Sequence, residues 1–172
     1  MRPIPWSQRT LTFGQGPGHL PTLLERLQGT PVRLLNLLRD QPHERLVQRG
    51  TSEWSVLEHI GHLLYLDQRM EERLDDFLAK RPHLRAIELD ETGDRFAGHR
   101  DRALGDLLEE FRLTRHFLLR RLRSLDPIAL AHRAVHPCRG IAMDATDMAV
   151  YIAEHDDDHL VTMRLLTGKL DD

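Results

Sequence analysis

The sequence predicts an all-α protein, a four-helix bundle with long connections between the helices. Two observations carry that expectation. Four stretches, each about five to seven turns long, keep their apolar residues in helical phase. No stretch alternates apolar and polar residues as a half-buried strand does.

Residues 1–18 carry Pro3, Pro5, Gly14, Gly16, Pro17 and Gly18 and read as an irregular arm. From 20 to 39, Leu20, Leu24, Leu27, Leu34, Leu35 and Leu38 hold one helical phase. Thr30-Pro31 interrupts it, and that pair also suits an N-cap and first turn. The phase is the same on both sides, so one kinked helix is expected rather than two. Residues 40–53 read as a loop. Ser55 and Glu58 form a capping box in sequence. The helix they start runs to about Ala79, burying Leu63, Leu66, Met70, Leu74 and Phe77. Residues 81–99 hold Pro82, Gly93 and Gly98 and read as a long crossing connection. A third helix runs from about Asp101 to Leu125, with Leu104, Leu107, Leu108, Phe111, Leu118 and Leu122 in phase. Asp126-Pro127 ends it. Residues 127–143 form another connection, with His132, His136-Pro137 and Cys138. The last helix starts at Asp144, whose side chain can cap it, and stops at Gly168.

The 172 residues suffice for a single domain, 1–172, around one core, and there is no internal repeat. Hydrophobic residues at 40% and charged residues at 30% are ordinary for a soluble globular protein. A net charge of −3 gives no field that draws nucleic acid or an anionic membrane. No run of about 18 apolar residues spans a bilayer. Cys138 is the single cysteine, which excludes an intrachain disulfide. With no signal-peptide pattern at the N-terminus, a reducing cytoplasm is the expected compartment.

Eleven histidines raise the expectation of metal binding. The pair that matters is His155 and His159, four apart in Glu154-His-Asp-Asp-Asp-His159. On a helix such residues are neighbours on one face and can reach one cation. They lie in the stripe of Ala145, Met148, Ile152, Met163 and Leu166, while Glu154, Asp157 and Arg164 lie opposite. Two polar rings in an apolar stripe need partners, and a metal satisfies both. A third ligand should come from a neighbouring helix. The second helix offers His59, nearer the middle of its apolar stripe, and His62, on the edge. Periodicity leaves that choice open.

Trp54-Ser-Val-Leu-Glu-His-Ile-Gly-His62-Leu, followed downstream by Glu154-His155 and His159, resembles the DinB/YfiT-like superfamily. His136-Pro137 before the last helix resembles its DinB-like subgroup. The resemblance covers most of the chain. It implies a four-helix bundle holding a divalent metal, zinc, nickel or iron, on His62, His155 and His159, often as a homodimer. It further implies a small-molecule substrate. Relatives include S-transferases that use a low-molecular-weight thiol and others that resemble hydrolases or isomerases. One departure is Asp158, where relatives often carry a further histidine.

An open three-histidine site activates water or a thiol without a separate strong base. Glu58, one turn before His62, is a candidate base, although its capping-box role is the simpler one. Arg115 sits at the centre of the third helix's apolar stripe, between Phe111 and Leu118. An inward Arg needs an anion: a carboxylate on another helix, or a substrate it clamps. Asp156, Asp157 and Asp158 read as a solvated face. Cys138 reads as a structural or incidental thiol rather than a nucleophile, and His136 as a packed residue or one that supports the ligands from behind. The alternative to an enzyme is a non-catalytic, stress-associated bundle that binds metal for structure or sensing.

Overall fold

The computed structural model describes residues 3–50, 54–87 and 94–168. Gly93 of the crossing connection lies outside them. Four long helices make up the bundle: α1 (Leu20–Leu38), α2 (Val56–Leu78), α3 (Leu104–Ser124) and α4 (Ala145–Thr167). α1 packs against α3 and α4, and α2 packs against the same two. The pairs α1/α2 and α3/α4 are therefore the diagonals, and neither the first nor the last connection joins adjacent helices.

The helix ends follow the local chemistry. Ser55 Oγ accepts from Glu58 N and Glu58 Oε2 accepts from Ser55 N at 2.7 Å, closing the capping box of α2. Asp144 and Asp147 form a second such box at the start of α4. Gly168 ends α4 in the left-handed conformation at φ 72°, which a glycine adopts without a Cβ clash. Pro31 lies inside α1 without ending it. Its missing N–H leaves the carbonyl of Leu27 without a helical donor. Arg115 Nη1 from α3 donates to that oxygen at 3.1 Å.

The connections hold more structure than their residues suggest. Part of the 40–53 stretch is a short helix, His43–Val47. The third long helix starts three residues late, because Asp94–Asp101 is 3₁₀. Asp126 caps a further short helix, Pro127–Ala131. Two two-residue strands follow, β1 (Ala134–Val135) paired antiparallel with β2 (Ala142–Met143). Strands this short show no alternation to read.

The apolar core is in two parts. One gathers Leu27, Leu74, Leu118 and Ile152, the other Leu34, Leu63, Phe111 and Met163. Between them, Thr30, Asp67, Arg115 and Asp156, one from each long helix, are all buried. Arg115 meets Asp67 at 2.7 Å and Asp156 at 2.5 Å. Thr30 donates to Asp156 at 2.7 Å. Asp156 is thus not part of a solvated face. Burial raises Asp67 above the usual carboxylate range, even against the pull of Arg115.

Candidate metal centre

The apolar phase of α4 turns His155 and His159 inward, and α2 presents His59 and His62 to them. His62 Nε2 lies 3.3 Å from His155 Nε2, and His159 Nε2 lies 3.2 Å from the same atom. All three donor atoms fall within 4.8 Å of one another. Two nitrogens tetrahedrally bound at about 2.1 Å to one zinc ion stand about 3.4 Å apart. The donor set therefore fits a divalent cation.

Burial keeps these rings neutral. It lowers His62 to about 3, helped by neighbouring His59. It also holds His155 and His159 well below the usual histidine value, with the adjacent rings adding to the effect. Neutral imidazoles have lone pairs for a metal. Among the described residues no other histidine, cysteine or carboxylate joins the cluster. Three protein ligands leave coordination positions open.

His59 does not share the cluster but supports it. Its Nδ1 lies 2.7 Å from His159 Nδ1. A His159 that binds through Nε2 carries its proton on Nδ1, where His59 can accept it. Among the described residues, His62 Nδ1 and His155 Nδ1 are buried without a hydrogen-bond partner.

Aromatic residues wall the centre. Trp54 packs on His62 at 4.7 Å and stacks over His159 at 6.2 Å. Phe96 meets His62 edge-on at 5.2 Å. Trp6, from the N-terminal arm, meets His155 edge-on at 5.2 Å, and Tyr151 stacks on the same ring. The N-terminal arm contains two short 3₁₀ turns, Trp6–Gln8 and Pro17–His19, and it is tied to α4: Gly14 N donates to Asp147 at 2.6 Å, and Arg9 pairs with Asp158 at 2.8 Å. Gly61 has a specific steric reason. A Cβ there would stand 2.1 Å from the His99 ring.

Two candidate catalytic residues have other work. Glu58 is fully buried, and its oxygens accept from Arg49 and Ser55 N. Burial raises its pKa, but the bonds from Arg49 and Ser55 outweigh that and leave it at about 2. A carboxylate this acidic is a weak base, so the structure argues against Glu58 as the proton acceptor. Arg115 directs its donors into the bundle. Its N–H groups are occupied by Asp67, Asp156 and the Leu27 carbonyl. The expected carboxylate from another helix is met twice, by Asp67 of α2 and Asp156 of α4. Cys138 is an exposed free thiol.

Trp6, Tyr151, Phe96 and the support from His59 were not evident in the sequence. Trp6 stands in a proline-rich arm with no periodicity to place it, and Phe96 in a 3₁₀ segment of the connection.

The sequence profile of the DinB superfamily matches residues 18–163. The chain belongs to the DinB superfamily. No curated protein matches it. Among solved structures it is similar to YfiT from Bacillus subtilis, described as a probable metal-dependent hydrolase with an unusual four-helix bundle topology. That match has a TM-score of 0.80 over 95% of this chain and 94% of the other, at 13% identity. It shows the shared fold, and the expected four-helix bundle is the fold observed.

Proposed function

We propose that this DinB-superfamily chain is a metal-dependent enzyme whose divalent cation, zinc, nickel or iron, is held by His62, His155 and His159. The observation that carries this reading is the convergence on one point of three Nε2 atoms from two helices, those of buried His155 and His159 and of half-buried His62. A bound divalent cation supplies a Lewis acid and a place where water or a thiol ionises near neutral pH. The chain supplies the rest. His59 holds the Nδ1 proton of His159 and so fixes which nitrogen faces the cation. Trp54, Phe96 and Trp6 keep bulk water from the rings, which strengthens electrostatic interactions there. The reaction is attack by water or a small thiol on an electrophilic small molecule, as hydrolysis or S-transfer. Catalysis, rather than a closed structural site, is favoured by the absence of another ligand among the described residues. A cytoplasmic homodimer belongs to the same reading. An apolar groove of Pro31, Val32, Leu35 and Leu108 between α1 and α3 is a surface a second copy can cover.

The test is metal content by mass spectrometry on tag-free protein beside the His155→Ala/His159→Ala variant. About one divalent ion per chain, lost in the variant, is expected. Folded protein that takes up no zinc, nickel or iron on reconstitution would overturn the reading.

A further inference from the structure

The bundle buries two arginines almost completely, and their surroundings differ. Arg115 is flanked by two carboxylates. Arg73, on α2, is 1% exposed, and among the described residues no carboxylate lies within ion-pair distance of it. Its contacts are the Arg85 carbonyl at 3.2 Å, the Met70 sulfur at 3.7 Å and His136 Nε2 at 3.0 Å. None of these carries negative charge. Asp76, nearby on the same helix, is already held by Arg85 and Arg81. Burying an uncompensated guanidinium is strongly unfavourable.

His136 sharpens the imbalance. Its Nδ1 faces the amides of Cys138 and Arg139, each at 3.3 Å, and its Nε2 faces Arg73. A neutral imidazole has one lone pair, so it cannot accept on both sides. This cluster has more donors than acceptors. Arg139 adds a second cation. It forms no ion pair among the described residues, and its guanidinium lies over Tyr151 at 5.1 Å and Trp6 at 5.8 Å. Tyr151 connects this place to the metal centre. Its ring lies 5.7 Å from His136 on one side and stacks on His155 at 6.2 Å on the other.

We propose that Arg73, His136 and Arg139 form an oxyanion subsite beside the metal centre, which takes a carboxylate or phosphate carried by the substrate. The missing acceptor is then the ligand's own oxygens, and the planar fork of Arg73 suits either group. The substrate is an anionic small molecule that lays its oxyanion against the β1–β2 turn. Its reactive bond lies past Tyr151, at the three histidines. That role in catalysis rests on the enzymatic reading above, whereas the anion site itself does not.

Acetate, benzoate and inorganic phosphate, with benzamide as the neutral control, are titrated at constant ionic strength by calorimetry and amide NMR. The proteins are the full chain, its His155→Ala/His159→Ala variant, Arg73→Lys and Arg139→Ala. At least one oxyanion is expected to bind saturably to the full chain and to the double-histidine variant, and benzamide to neither. Arg73→Lys and Arg139→Ala should each weaken binding by about tenfold. Exposed Arg139 keeps the test decisive if Arg73→Lys does not fold. Binding that needs the metal and vanishes in the double-histidine variant would overturn the subsite and leave the metalloenzyme reading standing. So would binding unchanged by both arginine variants. No saturable binding by any of the three anions overturns it as well. Binding retained in a protein that takes no metal supports the subsite and sinks only the metalloenzyme reading.

Discussion

His159 is engaged through both ring nitrogens, Nε2 toward the cluster and Nδ1 toward His59. His59→Phe keeps the ring volume and removes the Nδ1 acceptor. Metal affinity should fall about 10- to 100-fold with the fold intact, whereas His155→Ala removes a ligand and should abolish binding. Competition with a chelator reads both. Equal affinities for the full chain and His59→Phe would reduce His59 to a packing residue. Glu58 makes a contrasting case, an acid near the site whose oxygens are taken up by Arg49 and Ser55. Its carboxylate ionises at about 2 when folded against about 4.5 for an unperturbed glutamate. The folded state therefore gains from Glu58 fully above about pH 4.5 and loses that gain as pH falls toward 2. Glu58→Gln should cost about 2 kcal/mol at pH 7, after allowing for the half-exposed Arg49. The gap from the unmutated chain should close on acidification, as followed by urea unfolding. Turnover should be unchanged. A large loss of kcat would restore Glu58 as a base.

The four long helices were legible because each has a periodic stripe and punctuated ends. Ser55 with Glu58, Asp144 and Gly168 mark those ends in sequence and in space. Two of the three clustered histidines were legible for the same reason, since a spacing of four on an apolar stripe is a local property. The choice of His62 over His59 depends on how α2 meets α4, and only the resemblance supplied it. The short strands, the 3₁₀ segment and the docked arm are fixed by contacts between distant parts of the chain, as in Gly14 with Asp147. Gly61 shows how a helix carries such a constraint. His99 of the 3₁₀ segment presses where a Cβ would be, and Phe96 of that segment walls His62. Gly61→Ala has favourable helix propensity. Even so, it should destabilise the protein by about 1–3 kcal/mol through overpacking. It should also raise exposure of the site, seen as faster amide exchange in 94–101. An unchanged melting temperature with unchanged exchange would mean that His99 simply swings away.

At the scale of the molecule, one polar layer crosses the core and draws on all four helices. Arg115 from α3 holds Asp67 of α2, Asp156 of α4 and the Leu27 carbonyl that Pro31 leaves free on α1. Asp156 adjoins His155, and Asp67 lies little more than a turn from His62, so the layer ties α2 to α4 close to the three clustered histidines. Charges this deep give little net stability, because desolvation offsets their attraction, but removing one partner strands the others. Arg115→Met should therefore cost about 3–5 kcal/mol, by leaving two buried carboxylates without a cation. Replacing the whole layer, Thr30→Val, Asp67→Leu, Arg115→Met and Asp156→Leu, removes the stranded charges and should recover most of that loss in thermal or urea unfolding. Metal affinity separates stability from alignment. If the layer sets the register of α2 against α4, the four-residue variant should fold stably yet bind metal more weakly than the unmutated chain. A variant both as stable and as tight as that chain would show that apolar packing alone aligns the histidines.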